Sequence, residues 1–532
     1  MRISWQLFLL ALVALHLCDL GAGSRILAAF VFPGKSHFMM TNAIIRELVK
    51  RGHEVTFITP FSLAKENLGP NYKEVLIAQY DFWPELIEKT KAKSVLDMNE
   101  VSTLTFIELV NIMGVKSTDF AFDQPQLKAL IDEKNKIGKY DLLLAEQFFN
   151  EGALILGHLY QIPTITVSTF GFANYLSQVV GIVSPWSYVP HGFMPFTDRL
   201  TLWQRIQNIL ISGTEDLMRK FIYYPQHDEV LRKHFSHRLE KVPTIKELES
   251  NISLLLLNSY MPLETPRPVS YNMISVGGLH IQPNKVLPED LQKFLDGATD
   301  GAIYFSLGSQ VRSADLPPEK LKVFLDVFGS LKQRVLWKFE DEKLPNLPAN
   351  VRVQNWMPQN EILAHPNVKV FIAHGGLFGT QEAINYGVPI LGMPVYCDQH
   401  LNINKGKANG YALGLDYRTV TEDELRSSLK ELIENPSYKA KMQQASQIFR
   451  DRPLSAMDTA MYWIDYVIKH RGAQHMKAVG VDLPWYQFYL VDIVAIALTI
   501  IFLPILGLLA LCRRRRSKTS SGPSPKRKSK KN

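Results

Sequence analysis

Two short apolar runs, VKVFIA (Val368–Ala373) and VPILGMP (Val388–Pro394), flank His374-Gly375-Gly376 and a helix-like stretch that contains Glu382. Runs this apolar have no polar face to turn to water, so they read as strands covered on both sides. Parallel strands joined by a crossover helix satisfy that demand. Asp398-Gln399 follows the second run. Polar groups thus gather at the carboxyl ends of two neighbouring strands, where open α/β sheets bind ligands. The glycines allow close backbone approach, and the helix behind them turns free N–H groups and a positive dipole end toward a phosphate.

The same alternation fills the chain twice. RILAAFVFP, HEVTFITP, YKEVLIA (Tyr72–Ala78), YDLLLAE (Tyr140–Glu146), PTITVST (Pro163–Thr169) and ISLLLLNS read as strands of a first α/β series. HFMMTNAIIRELVKR, ended by Gly52, reads as the first crossover helix. Pro266–Pro288 reads as a linker. A second series follows with strands at 302–308, 334–339, 351–356, 368–374 and 388–394, and YALGLDY as a sixth. Residues 421–470 are strongly helical in pattern. The expectation is two Rossmann-like domains, 24–280 and 281–480, facing across a cleft, a common place for a ligand. Residues 82–137 and 170–240 break the repeat with helical, aromatic-rich insertions such as LWQRIQNILISG. They read as a helical coat on the sheet or as an apolar pocket, with contact to a membrane surface as a further reading.

Length supports two domains, since 532 residues exceed one ordinary domain. The formal charge of +8 misleads. Residues 513–532 hold ten Lys/Arg and no acid, and the remainder carries 49 basic against 51 acidic residues. The body is therefore not a basic nucleic-acid binder. Residues 1–23 have the charged start, apolar core and small-residue Gly21-Ala22-Gly23 end of a secretory signal peptide. Tyr489–Cys512 is long and apolar enough to span a bilayer, and Arg513–Arg516 follow as a stop-transfer signal. A single-pass type I topology follows, with the body in the lumen and a cytosolic basic tail, 513–532. The terminal KSKKN, with Lys528 and Lys530, resembles the KxKxx retrieval signal of endoplasmic-reticulum membrane proteins. Of the three cysteines, Cys18 leaves with the signal and Cys512 lies at the membrane edge. Cys397 alone remains in the body, so neither an internal disulfide nor a cysteine zinc site forms there. Asn251-Ile252-Ser253 is a glycosylation sequon, and Asn251 is its acceptor.

The ordered set Trp356, Gln359, His374-x-Gly376, Glu382 and Asp398-Gln399 resembles the signature of the UDP-glycosyltransferase family. PGKSH, KRGHEVTF, FSLGS and DLPWYQFYLVD extend the resemblance over most of the chain, most weakly over 80–240. The single-span, lysine-tailed form is similar to the animal endoplasmic-reticulum branch, with an insect-like character. The resemblance implies a GT-B fold and a UDP-sugar donor. It places Trp356 against uracil, Gln359 on the nucleoside, His374, Gly376, Gly379 and Ser309 around the diphosphate, Glu382 on the ribose, and Asp398 and Gln399 on the sugar. Vertebrate members often carry Asn where this chain has Phe378, so one diphosphate donor is missing.

On the acceptor side, His37 opens a helix after the first strand, where the dipole favours a neutral imidazole. The resemblance makes it the base that deprotonates the acceptor hydroxyl, with a carboxylate behind it. That carboxylate is normally Asp; the aligned residue is Glu146. Strand order 3-2-1-4-5-6 independently places both residues at the ends of neighbouring strands one and four. The implied reaction is inverting and metal-independent with no cofactor, and no D-x-D sequence occurs in the chain. The expected acceptor is a small lipophilic hydroxyl compound, as in detoxification or conjugation of hormones, odorants or pigments. The insect-like character leans toward UDP-glucose. Two alternatives stay open: a non-catalytic lumenal nucleotide-sugar-binding protein and a lipid glycosyltransferase. A homo-oligomer also stays open.

Overall fold

The computed structural model describes residues 23–281, 286–341, 344 and 346–519, with side chains as far as 516. The signal-peptide core and the Lys528/Lys530 motif lie outside the described residues.

The apolar runs become strands. The first sheet contains β1 (Arg25–Ala29), β2 (Glu54–Thr59), β3 (Tyr72–Leu76), β4 (Leu142–Glu146), β5 (Thr164–Ser168), β6 (Ile252–Leu257) and β7 (Met273–Ser275). All are parallel, in the order β3-β2-β1-β4-β5-β6-β7. The second contains β8 (Ala302–Ser306), β9 (Arg334–Lys338), β10 (Val351–Gln354), β11 (Val368–Ala373), β12 (Ile390–Gly392) and β13 (Ala412–Gly414). It is also parallel, in the order β10-β9-β8-β11-β12-β13. β7 is a departure from the sequence reading, because the linker read over 266–288 holds this edge strand. Three residues flanked by polar and proline-rich chain are too short for a periodicity to register.

Two neighbour pairs position everything that follows. Ala29 of β1 lies opposite Ala145 of β4, so the chain leaving β1 meets Glu146. Ser306 of β8 lies opposite Ala373 of β11, so Gly308-Ser309 and His374 leave the sheet side by side. Alternate strand residues feed the two faces of each sheet. Leu27, Ala29, Leu143 and Ala145 join one core cluster, and Ile26, Ala28, Leu142 and Leu144 join the other.

Helices cover those faces. α1 (Lys35–Lys50) buries Met40, Ile44, Ile45 and Leu48, an i, i+4, i+5, i+8 stripe, and the chain turns at Gly52 with φ 91°. α2 (Thr103–Asp123) starts where the Ser102 hydroxyl accepts from the Thr105 N–H. α3 (Leu202–Met218) starts at a Thr201/Gln204 capping box and runs on into one π-helical turn, Arg219–Tyr223. The second sheet carries α4 (Gln359–Leu363), α5 (Leu377–Tyr386) and α6 (Gln399–Ala408).

α7 (Ala456–Lys469) follows the second sheet in sequence but packs on α1 and β6 of the first. Its Ala460, Met461, Ile464 and Val467 sit in the same cluster as Ile26 and Ile44. Arg51 of the first sheet's layer reaches Asp458 at 2.5 Å.

Residues from 479 onward form a separate unit. Its main element is α8 (Val491–Thr519), a helix long and apolar enough by length and composition to cross a membrane, with Pro504 inside it.

Candidate functional site

β1 leads into the loop of residues 30–34, and α1 begins at Lys35, which puts His37 in the first helical turn. Gly34 leaves room for the imidazole, because a Cβ there would stand 3.0 Å from His37 Cδ2. Phe32 and Phe148 hold the ring, with centroids at 5.1 and 4.5 Å. Its Nδ1 lies 2.5 Å from Glu146 Oε1. The Thr169 hydroxyl stands 2.9 Å from both His37 Nδ1 and Glu146 Oε1. Asn150 Nδ2 donates to the other carboxylate oxygen at 3.0 Å. Glu146 is 1 % exposed and His37 13 %. The longer acid therefore reaches the ring directly, with both its oxygens engaged, and orients Nδ1 toward itself. Nε2 remains as the ring nitrogen for a ligand.

His37 lines a cavity of about 680 Å³ whose walls come from both sheets' loops. Around His37 the wall is apolar, with Phe106, Leu109, Val110 and Met113 of α2 and Phe148 and Phe170. Opposite lie Ser309, Trp356, Gln359, His374, Gly376, Gly379, Glu382, Asp398 and Gln399. The fold thus gathers all the sequence-predicted site residues except two. Glu146 sits behind His37, and Asn251 is exposed elsewhere, its Nδ2 donating to the Glu247 carbonyl.

Trp356 is 66 % exposed, so its indole is a bare platform and not a core residue. Gln359, at the start of α4, donates through Nε2 to Glu382 Oε2 in α5. Gly376 is the N-cap of α5 and supplies no side-chain cap, so the first N–H groups of that helix stay open toward the cavity. His374 sits between two glycines that cannot be replaced without moving it. A Cβ on Gly308, which has φ 84°, would stand 2.5 Å from His374 Cε1, and one on Gly376 would collide with Nε2. Burial, reinforced by the charge of Lys338, pushes the His374 pKa down to about 4, so the ring is neutral at ordinary pH. Its Nδ1 is enclosed without a hydrogen-bond partner in the structure. Asp398 is raised to about 6 by burial, against a stabilising bond from Asn402 Nδ2 at 2.8 Å. Gln399 Oε1 is used internally, accepting from the N–H groups of Val395 and Tyr396.

The model of the family described as UDP-glucoronosyl and UDP-glucosyl transferase matches residues 29–521. The chain belongs to this UDP-glycosyltransferase family. UDP-glycosyltransferase UGT5 of Dactylopius coccus is 35 % identical over 488 residues, covering 91 % of this chain and 90 % of its own. UDP-glucuronosyltransferase 2C1 of Oryctolagus cuniculus is 34 % identical over 475 residues, covering 87 % and 93 %. Solved structures agree on the fold. The calicheamicin glycosyltransferase CalG4 aligns with a TM-score of 0.58 at 16 % identity over 84 % of this chain and 98 % of its own. A Polygonum tinctorium UDP-glucosyltransferase aligns at 0.55 and 17 %, over 84 % and 99 %. The enzyme is therefore a glycosyltransferase of GT-B architecture that uses a UDP-sugar.

Several residues of this glycosyltransferase escaped the sequence reading. Thr169 and Asn150 flank the Glu146 carboxylate; Thr169 was in view as the end of a strand next to β4, but nothing local marks its hydroxyl. Lys338 ends β9, lines the cavity and pairs with Glu340 at 2.6 Å. His280 packs on Phe378 with centroids 4.6 Å apart and the rings tilted by 59°, and it places Nε2 3.5 Å from Glu382 Oε1. Phe378, where relatives often have Asn, thus packs against the chain linking the two sheets. Gln381, beside Glu382, ties the halves together. Its Oε1 accepts from the Gly278 N–H and its Nε2 donates to the Asn258 carbonyl, both at 3.0 Å. Asn258 Nδ2 in turn donates to the carbonyl of Thr169 at 2.9 Å. A hydrogen-bonded line therefore runs from α5 to the clamp on His37.

Proposed function

We propose that the enzyme moves glucose from UDP-glucose to the hydroxyl of a small lipophilic acceptor, with inversion at the anomeric carbon. The observation that carries this reading is the His37–Glu146 contact in the apolar lobe of the cavity, facing the donor residues. Nε2 of His37 takes the acceptor proton. The acceptor oxygen bonds to the anomeric carbon from the side opposite UDP as the bond to the diphosphate oxygen breaks. Glu146 stabilises the imidazolium, as the carboxylate does in a hydrolase triad. Charge developing on the leaving UDP meets the N-terminal N–H groups of α5, the glycine backbone and neutral His374 as a donor. Trp356 stacks on uracil, Gln359 and Glu382 hold the nucleoside, Ser309 touches a phosphate, and Asp398 and Gln399 hold the sugar. No metal or cofactor enters this scheme, in keeping with the absence of a D-x-D sequence.

The intact dyad speaks against a non-catalytic binding protein. A cavity of about 680 Å³ suits a drug-sized acceptor better than a long lipid chain. A neutral sugar is favoured because the cations lining the cavity, Arg46 and Lys338, are already paired with Glu66 and Glu340. Neither is free for a glucuronate carboxylate. α8 anchors the enzyme in the endoplasmic-reticulum membrane with the cavity in the lumen, a topology supported by the arginines that follow it.

The test uses the membrane-bound enzyme with UDP-glucose, UDP-galactose and UDP-glucuronate against phenols, steroids and lipid extracts. UDP-glucose should give β-glucosides of the phenols. Preferred turnover of UDP-glucuronate, or an α-linked product, would overturn this reading.

A further inference from the structure

Helix α3 turns a polar stripe inward. Asn208, Ser212 and Glu215, at i, i+4 and i+7, are each no more than 2 % exposed. Two of them have evident structural work. Asn208 Oδ1 accepts from the His191 N–H at 2.7 Å, and its Nδ2 donates to the carbonyls of Trp186 and Val189 at 2.8 Å. Ser212 Oγ accepts from Asn174 Nδ2 at 3.3 Å. Glu215 is different. Its Oε2 stands 3.1 Å from His191 Nε2 but accepts no aligned hydrogen bond. Asn174, 5 % exposed, likewise buries its Oδ1 without a partner. Arg219, one turn on, is committed to Glu249 at 2.7 Å. A buried carboxylate in this state costs free energy until a donor reaches it.

Glu215 and Asn174 both line a second, small cavity of about 10 Å³, room for one water-sized group. Most of its remaining wall is aromatic: Phe148, Phe149, Phe170, Tyr175 and Phe193. Phe148 and Phe170 also line the large cavity, so one layer of rings separates the two spaces. That layer begins beside the base, with the Phe148 and His37 centroids 4.5 Å apart. It is also able to yield. Phe170 and Phe193 are only half-buried, and their centroids lie 5.4 Å apart. Gly192 leaves space next to them, since a Cβ there would meet nothing nearer than Phe170 Cε1 at 3.7 Å.

We propose that the acceptor cavity extends through this wall into an ammonium subsite, and that the preferred acceptors are phenols with a primary amine at the far end. The proposal rests on the reading of His37 as the base that activates an acceptor hydroxyl. The chemistry of the small cavity selects the ligand. Both unpartnered atoms are hydrogen-bond acceptors, so the missing partner brings donors. A hydroxyl has one hydrogen for the two of them, and an ammonium has three. One of the two belongs to a carboxylate, whose charge favours a cation. The surrounding rings supply the π surfaces that bind desolvated ammonium groups. His191 does not compete for that role. Its Nδ1 accepts from the Phe193 N–H at 3.2 Å, which leaves a neutral ring with its hydrogen on Nε2.

The test measures KM and kcat of the full-length, membrane-bound enzyme with UDP-glucose and three matched series of acceptors. These are 4-(ω-aminoalkyl)phenols with tethers of two to four methylenes, the corresponding 4-alkylphenols and the corresponding 4-(ω-hydroxyalkyl)phenols. In an apolar cavity without the subsite, the charged tail must lose to the alkyl tail. With the subsite, the best-fitting amine should show a KM about tenfold below that of its alkyl partner at similar kcat. Glu215→Gln keeps the shape, removes the charge and should abolish this preference. Gly192→Ala fills the small cavity with one methyl at a position without a left-handed φ, and should abolish it too. That second variant carries the test if the first does not fold. Amines that bind no better than alkylphenols to the native enzyme overturn the proposal and leave the small cavity to a structural water. A preference that survives the substitutions also overturns it. An equal gain from the hydroxyl tail overturns the ammonium assignment. Failure of every phenol to accept glucose overturns the reading of the reaction, and the proposal with it.

Discussion

The two sheets share the order 3-2-1-4-5-6, to which the first adds β7 at its edge, yet they build their parts of the site by opposite means. Around the diphosphate, the donor half relies on backbone. Gly308, Gly376 and the open N-terminus of α5 do the shaping. The acceptor half relies on buried side chains. Glu146, Asn150 and Thr169 are each at most 1 % exposed; Glu146 and Thr169 meet the imidazole and Asn150 holds Glu146, while Glu151, Arg219 and Glu249 sit almost fully buried nearby. The difference matches the two ligands. A diphosphate is recognised by N–H groups that any residue can supply, provided the chain can come close. A proton abstraction needs one nitrogen in one tautomer, and only side chains can fix that.

His37→Ala breaks the comparison most sharply. Turnover should fall by about a thousandfold, within the usual range for a lost general base, while UDP binding by calorimetry stays unchanged. Loss of UDP binding would show that the halves do not divide the work as described.

Acid should strike the donor half through His374. Its folded pKa of about 4 lies below the 6.5 of the free side chain, so the stability it contributes is present above pH 6.5. As pH falls from 6.5 toward 4 the unfolded chain takes up a proton that the folded ring refuses. The loss is at most about 1.4 kcal/mol per pH unit and about 3.4 kcal/mol in all. Asp398 works the other way, since its raised value of about 6 makes its contribution decline as pH rises from 3.8. Melting curves against pH for the native chain and His374→Gln should differ most near pH 4 and converge above 7.

Gly308→Ala tests the reliance on backbone. The added methyl must displace His374 from a left-handed turn, which should weaken UDP binding by roughly 1–3 kcal/mol and leave the dyad intact. The smallest effect is expected at the seam. Gln381→Leu removes two hydrogen bonds between the halves, worth about 1 kcal/mol each. Turnover should drop several-fold with UDP affinity unchanged. An unchanged turnover would show that the line from α5 to Thr169 does not set the geometry of His37.

This division also explains what could be read from the sequence. The donor site lies almost entirely within residues 354–404, so a single ordered signature resembling that of the family marks it. The strands of both sheets, β7 apart, were legible, since uninterrupted runs such as ISLLLL admit few other readings. The acceptor site is scattered. His37 and Glu146 were found through the family resemblance, with strand order as independent support, but the hydroxyl of Thr169 and the amide of Asn150 carry no local signature. The Gln381–Asn258–Thr169 line joins residues 123 and 89 positions apart. The amphipathic pattern of α3 was visible, but which face pointed inward depended on His191, Trp186 and Glu249, which no helical period can reveal.

The return of α7 to the first sheet has a consequence for biosynthesis. The ribosome completes β7 about 180 residues before it reaches Ala456. At ordinary translation speeds that is an interval of roughly ten to forty seconds. Throughout it, the flank of α1 and β6 that α7 later covers stays bare to solvent. The first-made half therefore cannot finish folding as it emerges. It waits, with sticky surface showing, for a piece of chain delivered after the donor half and just before the anchor.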